Sequence, residues 1–598
     1  MSKKQEIDYE KIGLICGLEI HQQLDTNKLF CNCPSIIRDD KPDVEVRRRL
    51  KAVIGEDGHI DKAALAAANR DKFYDYQGYT DSTCLIEFDE QPPETMNKNA
   101  LEVVLQVSKM INAEIVDEIQ VMRKTVVDGS NTSGFQRTSL VGQYGYLTVN
   151  NKRIGVPTIC IEEDSAKIVS RNKNYDVYNL SRLGIPLIEL ATDPDINHPE
   201  EAKEVASMIG MILRSTGKVK RGLGTIRQDV NVSIKGGLRV EIKGAQDLKM
   251  IPTLIDNEII RQKYCINFKT PKTSDLIDVS KTLEKCESKV IRSALDNKGV
   301  VLAIKIEGFN GKLGEHISPG KRLGSELSDY AKGHAGVKGL FHSDELPKYG
   351  ITEKEVESIK KKLVCKKDDA FIIIGDNEEV SKRALKSVKD RFKNILTKEV
   401  RKANEDGTTS YMRPMPGAAR MYPETDCVPI KPNVKDIKLP ELISDKILRF
   451  EKDYKISKDL ASQLAKQSID FDDYTKRFKD LTPSYIADNL INTPKLLKTR
   501  YKLNLDIFSH IDELFLKVEE GVIPKDSITD ILLDIGSGKK IDFNNYAMMS
   551  DDDISKVIKE VIASNKGAPM GALMGEAMKR LKGKAEGKKI SEILRKLM

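Results

Sequence analysis

The sequence predicts an α+β protein of several domains: a mixed α/β unit, a second α+β module that interrupts it, and all-α domains at the end. Three observations carry this. The chain has 598 residues with 39% hydrophobic content, enough for about three to five cores of ordinary size. The first 280 or so residues are rich in Gly and in two-residue apolar alternation, whereas the pattern after Leu439 is nearly all helical. Between Leu283 and Val400 the texture differs from both, and Tyr411 to Ile430 then regains the Gly/Pro/aromatic character of the first part.

In chain order, strand-like segments run over Ile12 to His21, Arg153 to Glu163, Ile185 to Leu190 and Thr225 to Lys243. A helix is read from Leu101, Val104, Leu105, Ser108 and Ile111, which share one face at helical spacing. Another follows Pro199, a good first-turn residue, and stops at Gly217. In the middle section Val300 to Ile306 and Phe371 to Ile374 read as strands, Lys354 to Leu363 and Glu378 to Phe392 as helices. Beyond Leu439, helices are expected over Asp445–Tyr454, Lys458–Ser468, Ile511–Glu520, Asp552–Ser564 and Met570–Leu581, with a break at Gly536-Ser537-Gly538.

Composition excludes several classes. No run of about eighteen apolar residues occurs, so no membrane span is expected. The opening Met1-Ser2-Lys3-Lys4-Gln5-Glu6 leads to no apolar signal core, and nine dispersed cysteines make no disulfide framework. A cytoplasmic protein is predicted. The net charge is +7, and from Lys566 onward nine Lys/Arg face three Glu. Such a cluster attracts polyphosphate or merely solubilises the terminus.

The chain has neither a G-x-x-x-x-G-K-[ST] loop nor a strand followed by G-x-G-x-x-G, so any nucleotide site is of another type. The strand period puts Glu19 and His21 on one face, opposite Leu18 and Ile20. Ile159-Cys160-Ile161 runs into Glu162, Glu163 and Asp164, and Glu189 stands alone inside Ile185 to Leu190. A lone buried carboxylate is costly unless paired or metal-bound. His21, Glu163 and Glu189 could hold one divalent ion, Mg²⁺ with Mn²⁺ open because of the histidine; the alternative is that each acid pairs with Arg182 or Arg227. From Thr225 to Lys243, a three-residue loop at Lys235 to Gly237 matches the faces of a hairpin, setting Asp229 opposite Lys243 and Asn231 opposite Glu241. Its charged face is a solvated surface or the wall of a cleft. The loop Asp128 to Ser139, flanked by Lys124 and Arg137, is a phosphate nest or a turn. Cys31, Cys33 and Cys84 offer only three thiols, with Asp81 where a fourth would stand, so zinc is not expected.

Taken together, Gly17-Leu18-Glu19-Ile20-His21, Glu162-Glu163-Asp164, Leu183 to Glu189, Arg227-Gln228-Asp229-Val230-Asn231 and Tyr422-Pro423-Glu424-Thr425-Asp426 resemble, in this order, the B/E subunits of tRNA-dependent amidotransferases. Arg123-Lys124 through Thr138 and the insertion resemble the archaeal E type. The resemblance implies a kinase cradle of residues 1–282 plus 401–436, an inserted aspartyl-tRNA-synthetase-like module of 283–400, a helical domain of 437–545 and a basic tail domain of 546–598 that binds tRNA. It implies ATP and Mg²⁺ as cofactors, with His21, Glu163 and Glu189 as metal ligands and Glu19, His21, Glu163 and Glu189 framing the catalytic cleft. ATP contacts carry over to Lys124, Ser130, Gln136, Asn231, Glu241 and Lys243. The implied reaction activates Glu on Glu-tRNA(Gln) by γ-phosphorylation and amidates it, with ammonia from an asparaginase-like D subunit. A heterodimer, assembled as a dimer of heterodimers, is expected, with neither DNA nor membrane as partner. Rival readings are a bacterial-type B subunit acting also on Asp-tRNA(Asn), and a non-catalytic tRNA-binding factor whose acids are structural.

Overall fold

A computed structural model describes residues 7–51, 72–172, 174–415, 421–467, 469–547, 549–581, 585 and 587–598. The predicted helix end at Ser468, residues 416–420 of the Tyr411 to Ile430 segment, and Lys582 and Lys584 of the basic tail lie outside them. The fold is mixed α/β with a large sheet and a helical C-terminal region, in two units, residues 1–440 and 441–598.

The first unit opens with β1 (Ile15–Gln23), β2 (Val44–Arg48), β3 (Phe73–Gly78), β4 (Glu114–Ile115), β5 (Val121–Thr125), β6 (Phe135–Val149) and β7 (Lys152–Glu163). It continues with β8 (Lys167–Arg171), β9 (Tyr175–Asn179), β10 (Pro186–Ala191), β11 (Ile226–Ser233) and β12 (Val240–Lys243). Then come β13 (Ile277–Asp278), β14 (Val300–Ile306), β15 (His316–Ser318), β16 (Lys321–Arg322), β17 (Phe341–His342) and β18 (Ala370–Asp376). The last are β19 (Glu399–Ala403), β20 (Thr409–Pro414) and β21 (Met421–Pro423).

An 11-stranded sheet has the order β20-β19-β12-β11-β1-β10-β7-β6-β5-β21, with β4 beside β6. The chain thus leaves this sheet after β12, builds the four-stranded sheet β13-β14-β18-β17, and returns through β19, which pairs in parallel with β12. One face of the large sheet is apolar: Leu18, Ile20, Ile161, Ile188, Leu190, Val230, Val232 and Ile242 are all at most 1% exposed. The helices Lys98–Met110, Pro199–Ser215 and Ile251–Ile266 pack on this core, since alternation puts every second side chain there. A further sheet, β2-β3-β9-β8, stands apart.

The excursion between β12 and β19 is joined to the large sheet by buried charge. Arg391 and Glu326 from the excursion meet Glu399 and Arg401 on β19: Arg391 Nη1–Glu399 Oε2 is 2.6 Å and Arg401 Nη2–Glu326 Oε2 is 2.7 Å. Arg261, bonded to Glu258 on its own helix, lies 3.6 Å from Glu399. Each partner satisfies the desolvated charge beside it, which makes buried ion pairs tolerable.

The second unit is helical, with one core built on Phe450, Phe471, Leu490, Ile511 and Phe515. Another core joins Ile554, Ile558, Leu573, Ala577, Ile590 and Leu594 of the helices Asp551–Ser564, Met570–Arg580 and Gly587–Leu597. No described helix is long and apolar enough to cross a membrane.

Candidate functional site

Strand register decides which candidates meet. His21 opposes Glu189 on β10 and Arg227 on β11, Glu19 opposes Asp229, and Asn231 opposes Glu241. Across β7, Glu189 opposes Cys160 and Leu187 opposes Glu162. Glu162 in turn opposes Thr138, and Gln136 opposes Lys124. Directly opposed residues share a face, so Lys124, Gln136, Glu162, Glu189, His21, Glu19, Asn231, Glu241 and Lys243 lie on the side of the sheet away from the core.

At the centre, His21 Nε2 is 3.3 Å from Glu189 Oε2 and 3.5 Å from Glu19 Oε1. Ligand atoms of Glu19, His21 and Glu189 all lie within 4.8 Å of one another. Lys124 Nζ donates to Glu162 Oε1 at 2.6 Å and to Glu189 Oε2 at 3.3 Å. At the other end Lys243 Nζ reaches Asp229 at 2.5 Å and Glu241 at 2.6 Å. Asn231 Oδ1 accepts from Arg239 at 2.9 Å.

The carboxylates perturb one another. Burial, reinforced by Glu189 and opposed by Lys243 and His21, pushes Glu19 up to about 7. Burial and the Glu189 charge also raise Glu162. Glu189, although buried, is held well below the usual carboxylate range by Lys124 and His21. Burial works against protonating His21, but Glu189 and Glu19 outweigh it and raise its pKa. The site carries more negative charge than its own lysines offset, and two carboxylates with an imidazole are a donor set for Mg²⁺ or Mn²⁺.

Two sequence expectations are corrected. Glu163 does not join His21 and Glu189: it follows Glu162 on the strand and therefore faces the core side. There it accepts from the Arg137 backbone N–H at 3.1 Å and lies 3.4 Å from Arg137 Nη1. Arg137 also donates to Glu424 at 2.9 Å. The residue brought to His21 and Glu189 instead is Glu162, which the period-two argument already applied to Glu19 would have selected. Ser130 is also away from this face: it sits in the loop after β5, its Oγ donating to Asp128 at 2.6 Å. Arg182 and Arg227 both turn to Asp164, at 3.8 and 3.0 Å, rather than to Glu189.

The hairpin has the predicted register, with Asn231 opposite Glu241. Its return strand starts at Val240, so the connection is longer than the predicted Lys235 to Gly237. Gly237 N–H closes a turn on Ile234 O at 2.8 Å.

The thiol cluster has a donor that the sequence did not reveal. Cys31, Cys33, Cys84 and Glu87 place four ligand atoms within 4.8 Å of one another. Cys31 Sγ donates to Glu87 Oε1 at 2.9 Å, and the buried Lys28 ammonium is 3.4 Å from the same oxygen. Asp81 points away, paired with Arg38. Three thiols and a carboxylate supply four donors of kinds that bind zinc, one more than the three thiols counted in the sequence.

The candidate site is thus a polar, acid-rich face of the large sheet with a lysine at each end. Comparison with known proteins identifies the lineage. The GatB/GatE catalytic domain family matches residues 14–438, and a GatB domain family matches residues 471–598. The chain is 45% identical over 624 aligned positions to the E subunit of glutamyl-tRNA(Gln) amidotransferase from Methanocaldococcus jannaschii, covering 99% of each chain. It is 44% identical to the protein of the same name from Methanococcus maripaludis, and 42% to that from Thermococcus gammatolerans, again over 99% of each chain. The chain belongs to the GatB/GatE family.

Proposed function

We propose that this chain is the kinase subunit of a tRNA-dependent amidotransferase, a carbon–nitrogen ligase that turns Glu-tRNA(Gln) into Gln-tRNA(Gln). A carboxylate is a poor acyl donor because oxide is a poor leaving group. Transfer of the ATP γ-phosphoryl to the tRNA-bound Glu makes an acyl phosphate, which ammonia displaces with release of phosphate. Catalysis then consists mainly of bringing two anions together and offsetting their charge.

The observation that supports this reading is the single face carrying Glu19, His21, Glu162 and Glu189 between Lys124 and Lys243. Glu19, His21 and Glu189, with Glu162 beside them, would hold the divalent ion, which when bound neutralises phosphate oxygens. Lys124 holds Glu162 and Glu189 in place and presents a cation to the same face. Lys243, Glu241 and Asn231 line the hairpin side, where the nucleotide would bind together with Gln136. Cys31, Cys33, Cys84 and Glu87 would hold a structural zinc.

Residues 1–282 with 401–436 form the kinase part, 283–400 an inserted synthetase-like module, 437–545 a helical part, and 546–598 a basic tail for tRNA. Ammonia comes from an asparaginase-like partner in a cytoplasmic heterodimer. The test uses the chain alone with Glu-tRNA(Gln), ATP, Mg²⁺ and ammonium, following Gln-tRNA and ADP. Turnover of both is expected. No turnover at high ammonium, with tRNA still bound, supports the non-catalytic tRNA-binding reading; equal turnover of Asp-tRNA(Asn) supports the bacterial B type.

A further inference from the structure

Beside the acid-rich face stands a group of opposite sign that the activation chemistry leaves without a part. Arg227 opposes His21 across β11 and β1 and so shares its face of the sheet. Its Nη2 donates at 3.0 Å to Oδ1 of Asp164, which stands just past the end of β7. Arg182 Nε lies 3.8 Å from the other oxygen of that carboxylate. Two guanidiniums thus share one carboxylate, and the group keeps an excess of positive charge. Burial and the neighbouring Arg227 charge lower the pKa of Arg182, although Asp164 opposes them. Elsewhere on this face each lysine stands between two carboxylates: Lys124 between Glu162 and Glu189, Lys243 between Asp229 and Glu241.

Asp164 does not need Arg227 in order to be buried. It is 1% exposed, and it accepts from Gln23 Nε2 at 2.7 Å and from the Ser165 N–H at 2.9 Å. Gln23 follows His21 by two residues on β1, so the strand that carries the histidine also braces this carboxylate. Arg182 is committed to the backbone, donating to Ser165 O at 2.7 Å and to Ala166 O at 2.8 Å. Arg227 is not so committed. A guanidinium has five N–H donors, and among the described residues Arg227 makes one hydrogen bond, with 31% of its side chain exposed. A braced arginine with donors to spare is a fixed fork for a planar anion, which suits a carboxylate better than the point charge of a lysine.

The reaction brings two anions to this face. The phosphates are offset by the ion that Glu19, His21 and Glu189 would hold, but the glutamyl carboxylate must approach them against its own charge. We propose, resting on the kinase reading above, that Arg227 receives the γ-carboxylate of the tRNA-bound glutamyl group and holds it one strand away from His21. The same contact separates substrate from product, because the neutral amide of Gln-tRNA(Gln) gives the guanidinium no charge to pair.

The experiment measures binding of Glu-tRNA(Gln) and of Gln-tRNA(Gln) to the full-length chain in Mg²⁺ without ATP, for the unaltered protein, Arg227→Gln and Arg227→Lys. The unaltered chain should bind Glu-tRNA(Gln) about tenfold more tightly, as a charged hydrogen-bonded pair would make it. Arg227→Gln should bring the two tRNAs within about twofold of each other and lower kcat/KM for Glu-tRNA(Gln) about 100-fold in the ammonium-driven assay. Its Kd for Gln-tRNA(Gln), and for ATP with Mg²⁺, should stay within about twofold of the unaltered chain. Arg227→Lys keeps the charge without the fork and should recover part of both losses. Equal affinity of the unaltered chain for the two tRNAs overturns the proposal, as does a preference that survives Arg227→Gln. Weaker binding of both tRNAs and of ATP together also overturns it, since a residue that only braces the fold behaves that way. If the unaltered chain shows the preference but forms neither Gln-tRNA nor ADP, the kinase reading has failed and the carboxylate site stands.

Discussion

Glu162 and Glu163 are adjacent, identical in chemistry, and predicted to fail in different ways. Glu163→Gln removes a charge from the core side, where Arg137 loses one of two carboxylates and keeps Glu424 at 2.9 Å. The neutral amide still accepts from the Arg137 N–H, so the cost is one charged hydrogen bond, about 1–3 kcal/mol of stability. Turnover per folded molecule should stay within about threefold, a change of less than about 1 kcal/mol in the barrier. Glu162→Gln acts on the other side. Lys124 exchanges its 2.6 Å carboxylate partner for a neutral amide and is drawn toward Glu189, 3.3 Å away, which is also the partner of His21. Drawing Glu189 toward the lysine disturbs the donor set, and a carboxylate leaves the site as well. A loss of about 100-fold in kcat/KM, about 2.7 kcal/mol, is expected, with little change in melting because burial already disfavours the Glu162 charge. The assay is ammonium-driven Gln-tRNA formation on both variants, with urea unfolding run in parallel. If Glu163→Gln abolishes turnover while Glu162→Gln leaves it intact, the assignment by strand face is wrong.

Three further outcomes are expected. Glu399 is buried, yet Arg391, Arg401 and Arg261 hold it down from 4.5 to about 2; because the folded value is depressed, its stabilisation is full above the unfolded value and lost as pH falls from about 4.5 toward 2, on the order of 3 kcal/mol. Urea midpoints across that range should fall less steeply in Glu399→Gln than in the unaltered chain, and parallel curves would remove Glu399 from the account. Metal analysis of the purified chain should find about one zinc, lost in Cys33→Ser and weakened about 10- to 100-fold in Glu87→Ala; full zinc retention in Glu87→Ala would exclude that carboxylate as a ligand. Neutralising Lys579, Arg580, Arg595 and Lys596 on the basic tail should lower the salt slope of tRNA binding by about 0.7–0.9 per lost phosphate contact, and an unchanged slope places the RNA elsewhere. These substitutions are preferable to deleting the chain after Asn565, which would cut through the core shared by Ile554, Leu573 and Leu594.

Local pattern is readable wherever one face is buried and the other is not. The period of two locates β1, β7, β10 and β11, and the three-four spacing locates the helix Lys98–Met110, whose buried residues include Leu101, Val104 and Leu105. The helix Ile251–Ile266 leaves no such stripe, because Asn257, Glu258, Arg261 and Gln262 are buried together with its isoleucines. A helix covered on most sides loses amphipathic contrast. The helix Pro483–Arg500 contains Pro494, a residue that ordinarily breaks a helical pattern. The β3–β9 pair joins strands about a hundred residues apart, a distance that no local window spans. At the site the difficulty is of another kind. Glu162, Glu163 and Asp164 look like one acidic run, but they divide between two faces of the sheet and a loop bonded to Arg227. Glu87 stands three residues after Cys84, at the spacing of a C-x-x-C pair, but as a carboxylate it looks like any surface acid there, and only the chain path returns it to Cys31.

The two faces of the large sheet handle charge by opposite means. On the core side these buried carboxylates are matched by arginines: Glu163 and Glu424 by Arg137, and Glu326 and Glu399 by Arg391 and Arg401. Arginine stays charged and forks toward two oxygens, which holds Glu326, Glu399 and Glu424 low, although burial still leaves Glu163 raised. On the site face Arg227 goes to Asp164, and the cations beside Glu162, Glu189, Asp229 and Glu241 are Lys124 and Lys243. Between the lysines, burial and the Glu189 charge push Glu19 up to about 7, so it holds a proton more readily than an ordinary carboxyl. That proton is the least costly way to fold a cluster of acids in the absence of a cation, and the first thing a cation would displace. A face whose neutrality depends on an exchangeable proton is suited to admitting charge and releasing it again.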